Sequence, residues 1–374
     1  MRLNKNQEVF LALVEAGLWE KEVRLSSYGD ISFSDIYELA EEQSVLGLVT
    51  AGLEQLKDVK VPQEWTLQFI GGTLQLEKRN KAMNEFVAKL ITLLRKNDVY
   101  AILVKGQGIA QCYERPLWRA SGDIDLLLSD SNYNKAKKIL VPLASSVDKE
   151  DAKRKHLALT IDSWIVELHG TLHTGITSRI DRGVDSVQND IFYGGSVRSW
   201  INDNVSVFLP SANNDAIFIF THILQHFFDG GIGLRQVCDW CRLLWTYRDK
   251  INNNLLKRRL KSMGVMTEWK AFAALAVNYL GMPETAMPLY DISALYERKA
   301  GRILSLIIEI GNFGQGRDIS YKQEKPFLVR LVISFSRHTK DFFSQLMIFP
   351  FKALWVWMKM VVKGLRFAAK GGEK

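Results

Sequence analysis

The 374-residue sequence contains few cysteines: Cys112, Cys238 and Cys241. Three thiols are too few for a disulfide framework, which favours a reducing compartment such as the cytoplasm. The first 20 residues lack the apolar core of a signal peptide, because charged side chains interrupt them. Internal repeats and low-complexity segments are also missing. With 47% hydrophobic and 24% charged residues, the chain has the composition of a folded globular protein and enough length for two or three domains.

Most of the chain has no excess of either charge. The net charge of +8 arises from residues 321–374, which hold 11 Lys/Arg and 3 Asp/Glu, whereas the other 320 residues hold 38 of each sign. A groove for long nucleic acid usually needs a basic surface. The neutral body therefore argues against sequence-specific nucleic acid as a partner.

The hydrophobic pattern predicts an α+β fold in which helical regions flank a block that contains strands. Apolar residues spaced three and four apart predict helices in residues 1–96, including a long helix after Pro62. Ser34 and Ser131 are the expected N-caps of two helices. Residues 97–210 contain short apolar runs typical of strands, and the last two runs are joined by a tight turn at 162–163. Helical periodicity returns in residues 211–320, and residues 321–374 form a basic tail.

The stretch "GDIDLLLSD" places two acids beside an apolar run. In a strand, Asp123 and Asp125 share one face because side chains alternate. Glu167 lies in the later run "WIVELHG" and can face them if the two strands are neighbours, and His169 shares its face. Three converging carboxylates suit a hard divalent cation such as Mg²⁺. The sequence therefore predicts a metal site on Asp123, Asp125 and Glu167.

Just upstream, "LVKGQG" ends one strand and opens a helix. Gly106 permits close backbone approach, a helix N-terminus favours phosphate, and Lys105 adds a positive charge. Arg119 lies on the loop between this turn and the acids, where it could brace the acids or a triphosphate. A purely structural alternative pairs the acids with Arg119 and Lys105 in salt bridges.

The stretch "LVKGQGIAQCYERPLWRASGDIDLLL", followed by "VELHGTLH", resembles the uncharacterised nucleotidyltransferase family of the DNA polymerase β-like superfamily. A looser likeness covers "HILQHF" and "LRQVCDW". The resemblance implies a nucleotidyltransferase-fold mixed sheet with helices and a metal-dependent transfer from a nucleoside triphosphate to an unidentified acceptor. Mg²⁺ or Mn²⁺ would bind the paired acids Asp123 and Asp125 and the third acid Glu167, and Glu167 would be a candidate base toward the acceptor hydroxyl. The resemblance also implies that three further residues line the cleft: His222, Arg235 and Asp239.

Several residues have more than one interpretation. His169 could hydrogen-bond a phosphate, orient the third acid or be structural. Asp239 could simply pair with Arg235, four residues before it. The glycine loop 229–233 could close over substrate or be a turn between helices. A zinc site is a weaker alternative to an apolar helix core for four residues: His222, His226, Cys238 and Cys241.

Two positions differ from the pattern of the superfamily: Gln107 follows Gly106 where serine is usual, and Glu167 stands where aspartate is more common. These differences favour a second hypothesis, in which the protein is a catalytically silent nucleotide-binding or membrane-peripheral adaptor.

The tail is apolar and basic, with a break at Pro350. Five basic residues are spaced to share one helical face: Lys352, Lys359, Lys363, Arg366 and Lys370. Five others form an apolar side: Leu354, Trp357, Met358, Val361 and Leu365. Because no run of 18 uncharged residues occurs, a spanning helix is not expected.

Residues 342–370 either bind an anionic membrane surface, pack on the body with their lysines in water, or dock on a partner protein. The expected location is the cytoplasm, with peripheral attachment to the inner membrane face under the first interpretation.

Overall fold

The computed structural model describes residues 3–314 and 327–369 of the chain. The N-terminal part folds into helices, as the periodicity predicts: α1 (Lys5–Trp19), α2 (Phe33–Glu42), α3 (Leu46–Glu54) and the long α4 (Gln63–Lys96). Two short helices lie within the sheet-forming part: α5 (Gly106–Ala110) and α6 (Asp130–Leu140). A third, α7 (Ser178–Phe192), was not predicted.

The predicted N-caps are each wrong by two residues. Ser32 caps α2, where its extended backbone lets its side chain accept a hydrogen bond from the Asp35 amide. Ser34 lies inside the first turn of the helix. Likewise Ser129 precedes α6, and Ser131 is already helical. Both helices therefore begin before the serine that the sequence pattern indicated as their N-cap.

Within the described residues, seven strands form one mixed sheet in the order β3-β4-β5-β2-β1-β7-β6. The strands are β1 (Ala101–Val104), β2 (Ile124–Leu128), β3 (Ser146–Val147), β4 (His156–Ile161), β5 (Trp164–His169), β6 (Val197–Asn202) and β7 (Val205–Pro210). The β2–β5 and β1–β7 pairs are parallel, and the other neighbours are antiparallel. This arrangement confirms the predicted α+β class. Strands β3, β6 and β7 were not predicted.

The sheet separates two hydrophobic cores. Leu103, Leu126 and Leu168 point toward α4 and α6, whose apolar faces cover that side. The alternate residues Val104 and Leu127 point to the opposite side, toward the larger helical core. Because alternation is strict, the polar residues interleaved with Leu126 and Leu168 also face the helical core. The polar side chains of β2 and β5 therefore lie between the sheet and the larger helical core.

The helices after residue 210 pack together with the N-terminal ones. They are α8 (Ala212–Asp229), α9 (Leu234–Thr246), α10 (Asn253–Met263), α11 (Met266–Leu280) and α12 (Ala294–Ile310). Phe220, Trp240 and Trp269 form a fully buried aromatic cluster among α8, α9 and α11. Helix α1 contacts both α3 and α11, so one continuous core joins the N-terminal helices to those that follow the sheet.

The tail forms α13 (Phe327–Leu346) and α14 (Pro350–Ala369), and α14 packs on the body. Lys352 lies against the body, where its ammonium pairs with Glu268 at 2.8 Å. The interpretation in which the tail packs with its lysines in water therefore does not hold for Lys352. Leu354 and Met358 are instead more than 40% exposed. The side chains of Lys363, Leu365, Arg366 and Lys370 lie outside the described residues. In the parts of the chain that the structure describes, no helix has the length and apolar character to cross a membrane.

Candidate functional site

The three predicted acids meet on one face of the sheet. Asp123 immediately precedes β2, Asp125 lies within it, and the register pairs Asp125 with Glu167 of the neighbouring parallel strand β5. Carboxylate oxygens of the three residues lie within 4.8 Å of one another. This confirms the expectation that the strands of Asp125 and Glu167 are neighbours. The longer Glu167 side chain reaches the group without distortion of the sheet.

The Lys-Gly turn lies directly beside these acids. Lys105 has φ = 58° and Gly106 has φ = 39°, so the backbone turns sharply between β1 and α5. A positive φ at a lysine costs roughly 1–3 kcal/mol, and such outliers concentrate at functional sites. The turn brings the Lys105 ammonium to 2.9 Å from Asp125 Oδ1. The turn also leaves Gly106 close to the backbone of Asp123: a Cβ atom at position 106 would lie 3.5 Å from the Asp123 carbonyl oxygen.

Gln107, the unusual residue of this turn, points away from the acids. Its side chain is buried, its Nε2 donates to Asn84 Oδ1 at 2.8 Å, and its Oε1 accepts a hydrogen bond from the Ser121 hydroxyl at 2.5 Å. Gln107 therefore ties the turn to α4 and to the segment just before the acid pair. Gln107 is thus an internal brace of the turn.

Two histidines contact the acids. His169 Nε2 lies 2.8 Å from Asp125 Oδ1 and 3.4 Å from Glu167 Oε2. His156 Nε2 lies 3.1 Å from the same Glu167 oxygen. The prediction that His169 shares the face of Glu167 is confirmed, but His156 was missed. The two-residue turn at 162–163 could have revealed it, because that turn fixes the register that pairs position 156 with position 169.

The pKa values show how the charges balance. Repulsion from Asp125, together with burial, raises the pKa of Asp123 above its ordinary value. Burial also opposes ionisation of Asp125, but Lys105 and the His169 hydrogen bond outweigh it, so the pKa of Asp125 is lowered. For Glu167, hydrogen bonds from the two histidines outweigh burial and lower the pKa. The pKa of His169 is raised, because its hydrogen bonds to the carboxylates outweigh its burial.

Arg119 does not contact the acid pair. Its guanidinium forms a bidentate salt bridge with Asp239 of α9, at 2.9 and 2.6 Å, and Tyr113 also donates to that carboxylate. Of the two interpretations of Arg119, a brace on the acids is therefore wrong, and a contact with a triphosphate stays a prediction. Lys105 does pair with Asp125. The alternative pairing of Asp239 with Arg235 is wrong. Arg235 instead donates to the carbonyl oxygen of Ala120 at 2.8 Å.

A cavity of about 350 Å³ opens over these groups. Its wall includes the site residues expected from the sequence: Lys105, Gly106, Arg119, Asp123, Asp125, Glu167, His169, His222, Arg235 and Asp239. On the α8 side, the imidazoles of His222 and His226 lie 4.3 Å apart, centroid to centroid. Burial lowers the pKa of His226 to about 4 and that of His222 well below its ordinary value. His222 and His226 are therefore uncharged at neutral pH, and so is the part of the cavity wall that they form.

The zinc alternative finds no support in the geometry. Cys238 and Cys241 are fully buried in α9 and belong to the helical core. Among the described residues, the metal-capable groups are Asp123 with Asp125 and Glu167, and His156 with Glu167 and His169. The glycine loop 229–233 is the turn between α8 and α9.

A mixed sheet that carries an acid triad beside a Lys-Gly turn, with helices on both sides, defines a nucleotidyltransferase-type domain. A family model described as "Uncharacterised nucleotidyltransferase" matches residues 29–281, more than half of the chain. The chain belongs to this uncharacterised nucleotidyltransferase family. Comparisons with curated proteins and with solved structures find no match.

Proposed function

We propose that the protein transfers a nucleotidyl group from a nucleoside triphosphate to an acceptor hydroxyl, using Mg²⁺ or Mn²⁺ held by Asp123, Asp125 and Glu167. The observation that carries the proposal is the convergence of three carboxylates within 4.8 Å on the cavity wall. Family membership supports nucleotidyl transfer as the reaction class.

The residues present fit a divalent cation. All three ligands offer oxygen, the donor that Mg²⁺ prefers. Lys105 provides one fixed positive charge for the three acids, and the raised pKa of Asp123 reflects repulsion that this charge does not offset. A bound divalent cation would neutralise phosphate charge and lower the pKa of an attacking hydroxyl.

The chain's own groups have distinct parts in this proposal. Gly106 and the Lys105 ammonium lie where phosphate oxygens would approach the acids. Arg235 lines the same cavity and adds positive charge near Asp123. The lowered pKa of Glu167 makes it a better ligand than a base, since a weakly basic carboxylate accepts protons poorly. Arg119 and Asp239 hold the wall of the cleft in place.

Calorimetry of nucleotide binding tests the metal assignment. We expect Asp123→Asn combined with Asp125→Asn to weaken Mg²⁺-dependent binding of each nucleoside triphosphate at least tenfold. Asp130→Asn is the matched control, because Asp130 is an exposed acid in the neighbouring α6 that pairs with Lys155. Unchanged binding by the double variant, with its fold intact by circular dichroism, would refute the assignment.

Transfer itself requires a second assay. Incubation of the protein with labelled nucleoside triphosphate, Mg²⁺ and a cell extract should move label onto an acceptor in the wild type and not in the double variant. Tight nucleotide binding without any transfer would instead support the catalytically silent adaptor.

The surface of the tail favours a membrane-peripheral role as a second candidate function. Exposed apolar side chains follow one another along the end of α13 and along α14: Phe343, Met347, Phe351, Leu354, Trp355, Met358 and Val362. Nearby, Lys359 and Arg302 donate hydrogen bonds to backbone carbonyl oxygens, and these contacts do not neutralise their charge. Apolar side chains beside such cations suit an anionic lipid surface.

Flotation with vesicles tests this role. The wild type should float with vesicles that contain anionic phosphatidylserine and much less with neutral phosphatidylcholine vesicles. Phe351→Ser combined with Met358→Ser should abolish flotation. Tyr193→Ser provides the control, because Tyr193 is 85% exposed outside the tail. Equal flotation of the tail variant and the wild type would contradict the membrane role.

A further inference from the structure

Glu167 belongs to a second group of metal-capable side chains besides the acid triad. His156, Glu167 and His169 bring two imidazole nitrogens and one carboxylate oxygen within 4.8 Å of one another. We propose that these three residues form a second site, which shares Glu167 with the triad, for a transition-metal cation such as Co²⁺ or Zn²⁺. The inference goes beyond the proposed function, because it concerns a different donor set and requires no transfer reaction.

The distances match the requirements of such a cation. With metal–ligand bonds of about 2.0–2.1 Å, adjacent ligand atoms around a tetrahedral ion lie about 3.3 Å apart. The Nε2 atoms of His156 and His169 lie 3.1 and 3.4 Å from the same Glu167 oxygen. The two rings are tilted by 34° with centroids 4.8 Å apart, so both nitrogens converge on one side of Glu167.

The backbone holds this cluster firmly. His156 and His169 are directly paired across the antiparallel strands β4 and β5, and Glu167 lies two residues before His169 on the same face. The turn at 162–163 has positive φ at both residues, which fixes this register. Ligands on paired strands are more precisely placed than ligands on loops. All three side chains line the cavity, so a bound ion would keep an open position toward it.

The donor set selects a different class of ion from the triad. Imidazole suits Zn²⁺ and similar transition-metal ions, whereas Mg²⁺ prefers oxygen ligands. Binding at the second site requires His169 to exchange its 2.8 Å contact with Asp125 for the metal. An ion at the histidine site would therefore release Asp125 from its contact with His169, while the ammonium of Lys105 remains.

Cobalt absorption tests the site in the full-length protein. Titration with Co²⁺ in the presence of excess Mg²⁺ should give visible bands of nitrogen-ligated cobalt. His156→Gln should abolish these bands and weaken Co²⁺ binding at least tenfold. His173→Gln, which removes a cavity histidine outside the cluster, should leave the bands unchanged.

One further variant separates this proposal from the proposed function. Asp123→Asn should weaken nucleotide binding and keep the cobalt bands, since Asp123 belongs only to the triad. If wild type and His156→Gln bind Co²⁺ equally, or if the wild type shows no nitrogen-ligated bands, the proposal is overturned. His156 and His169 then serve only as hydrogen-bond donors that orient Glu167.

Discussion

Replacement of Arg119 by methionine is expected to lower the stability of the folded protein, because Arg119 has a structural role. The Arg119 and Asp239 side chains are only 5% and 7% exposed, and two hydrogen bonds of 2.9 and 2.6 Å join them. Arg119 also donates to Ala120 and Ser121 in the segment that leads to the acid pair. The pair therefore fastens this segment to α9.

The expected magnitude follows from burial. Removal of one partner from a buried ion pair costs roughly 3–5 kcal/mol, because the remaining charge loses its compensation. Asp239 keeps the hydrogen bond from the Tyr113 hydroxyl after the substitution. We therefore expect a loss near the lower end, about 3 kcal/mol in the free energy of unfolding. Arg119→Met combined with Asp239→Leu should cost less than Arg119→Met alone, since it leaves no buried charge uncompensated.

Urea denaturation followed by circular dichroism measures this loss. The control is Lys340→Met, which breaks an exposed pair with Glu309 and should change stability by about 0–1 kcal/mol. Nucleotide affinity is measured on the same samples. If Arg119→Met lowers nucleotide affinity without moving the urea midpoint, Arg119 acts on the triphosphate and the structural assignment is refuted.

Three further predictions concern packing, acid stability and the Lys-Gly turn. Gly17→Ala should prevent stable packing of α1 on α3, because the added Cβ would lie 1.9 Å from the Leu48 carbonyl oxygen; an unchanged melting temperature would contradict this. Burial opposes ionisation of Asp190, but the Arg259 hydrogen bond and others outweigh it and lower its pKa below 3.8. Its stabilising effect is therefore present above about pH 4 and is lost as the pH falls through the lowered pKa. Asp190→Asn should thus destabilise the protein at pH 7 more than at pH 3, and an equal loss at both would argue against it. Gln107→Ala should lower stability by about 1–3 kcal/mol, because it leaves buried polar partners unsatisfied; a loss of nucleotide affinity alone would mean that Gln107 acts on substrate.

Local patterns were sufficient to predict the strands of the site. The alternation in "DIDLLL" and "WIVELH" places each acid on the face opposite the leucines, and the structure has both strands within one or two residues of the predicted limits. The unpredicted β6–β7 hairpin carried a comparable indication, since positions 203 and 204 form a two-residue turn with positive φ at both residues. Helix α7 carried a signal as well, since its buried residues Ile180, Val184, Val187 and Ile191 are spaced four, three and four apart.

Contacts between distant segments could not be predicted in the same way. Asp239 lies 120 residues from Arg119 in sequence, and a nearer candidate, Arg235, was available for it. The orientation of α14 likewise depends on Glu268, which attracts Lys352 to the body and turns Leu354 and Met358 toward solvent. In both cases the salt-bridge partner depends on which side chains are buried together in the folded chain, and this cannot be predicted from sequence spacing.

The sequence by itself determined which side chains share a face, because backbone geometry repeats every two residues in a strand. It therefore placed Asp123 with Asp125, and Glu167 with His169. The tertiary structure alone decided that β5 is the parallel neighbour of β2, and so that Glu167 lies beside Asp125. Strand order depends on how the whole sheet is covered by helices, and this balance of burial involves residues far apart in the chain.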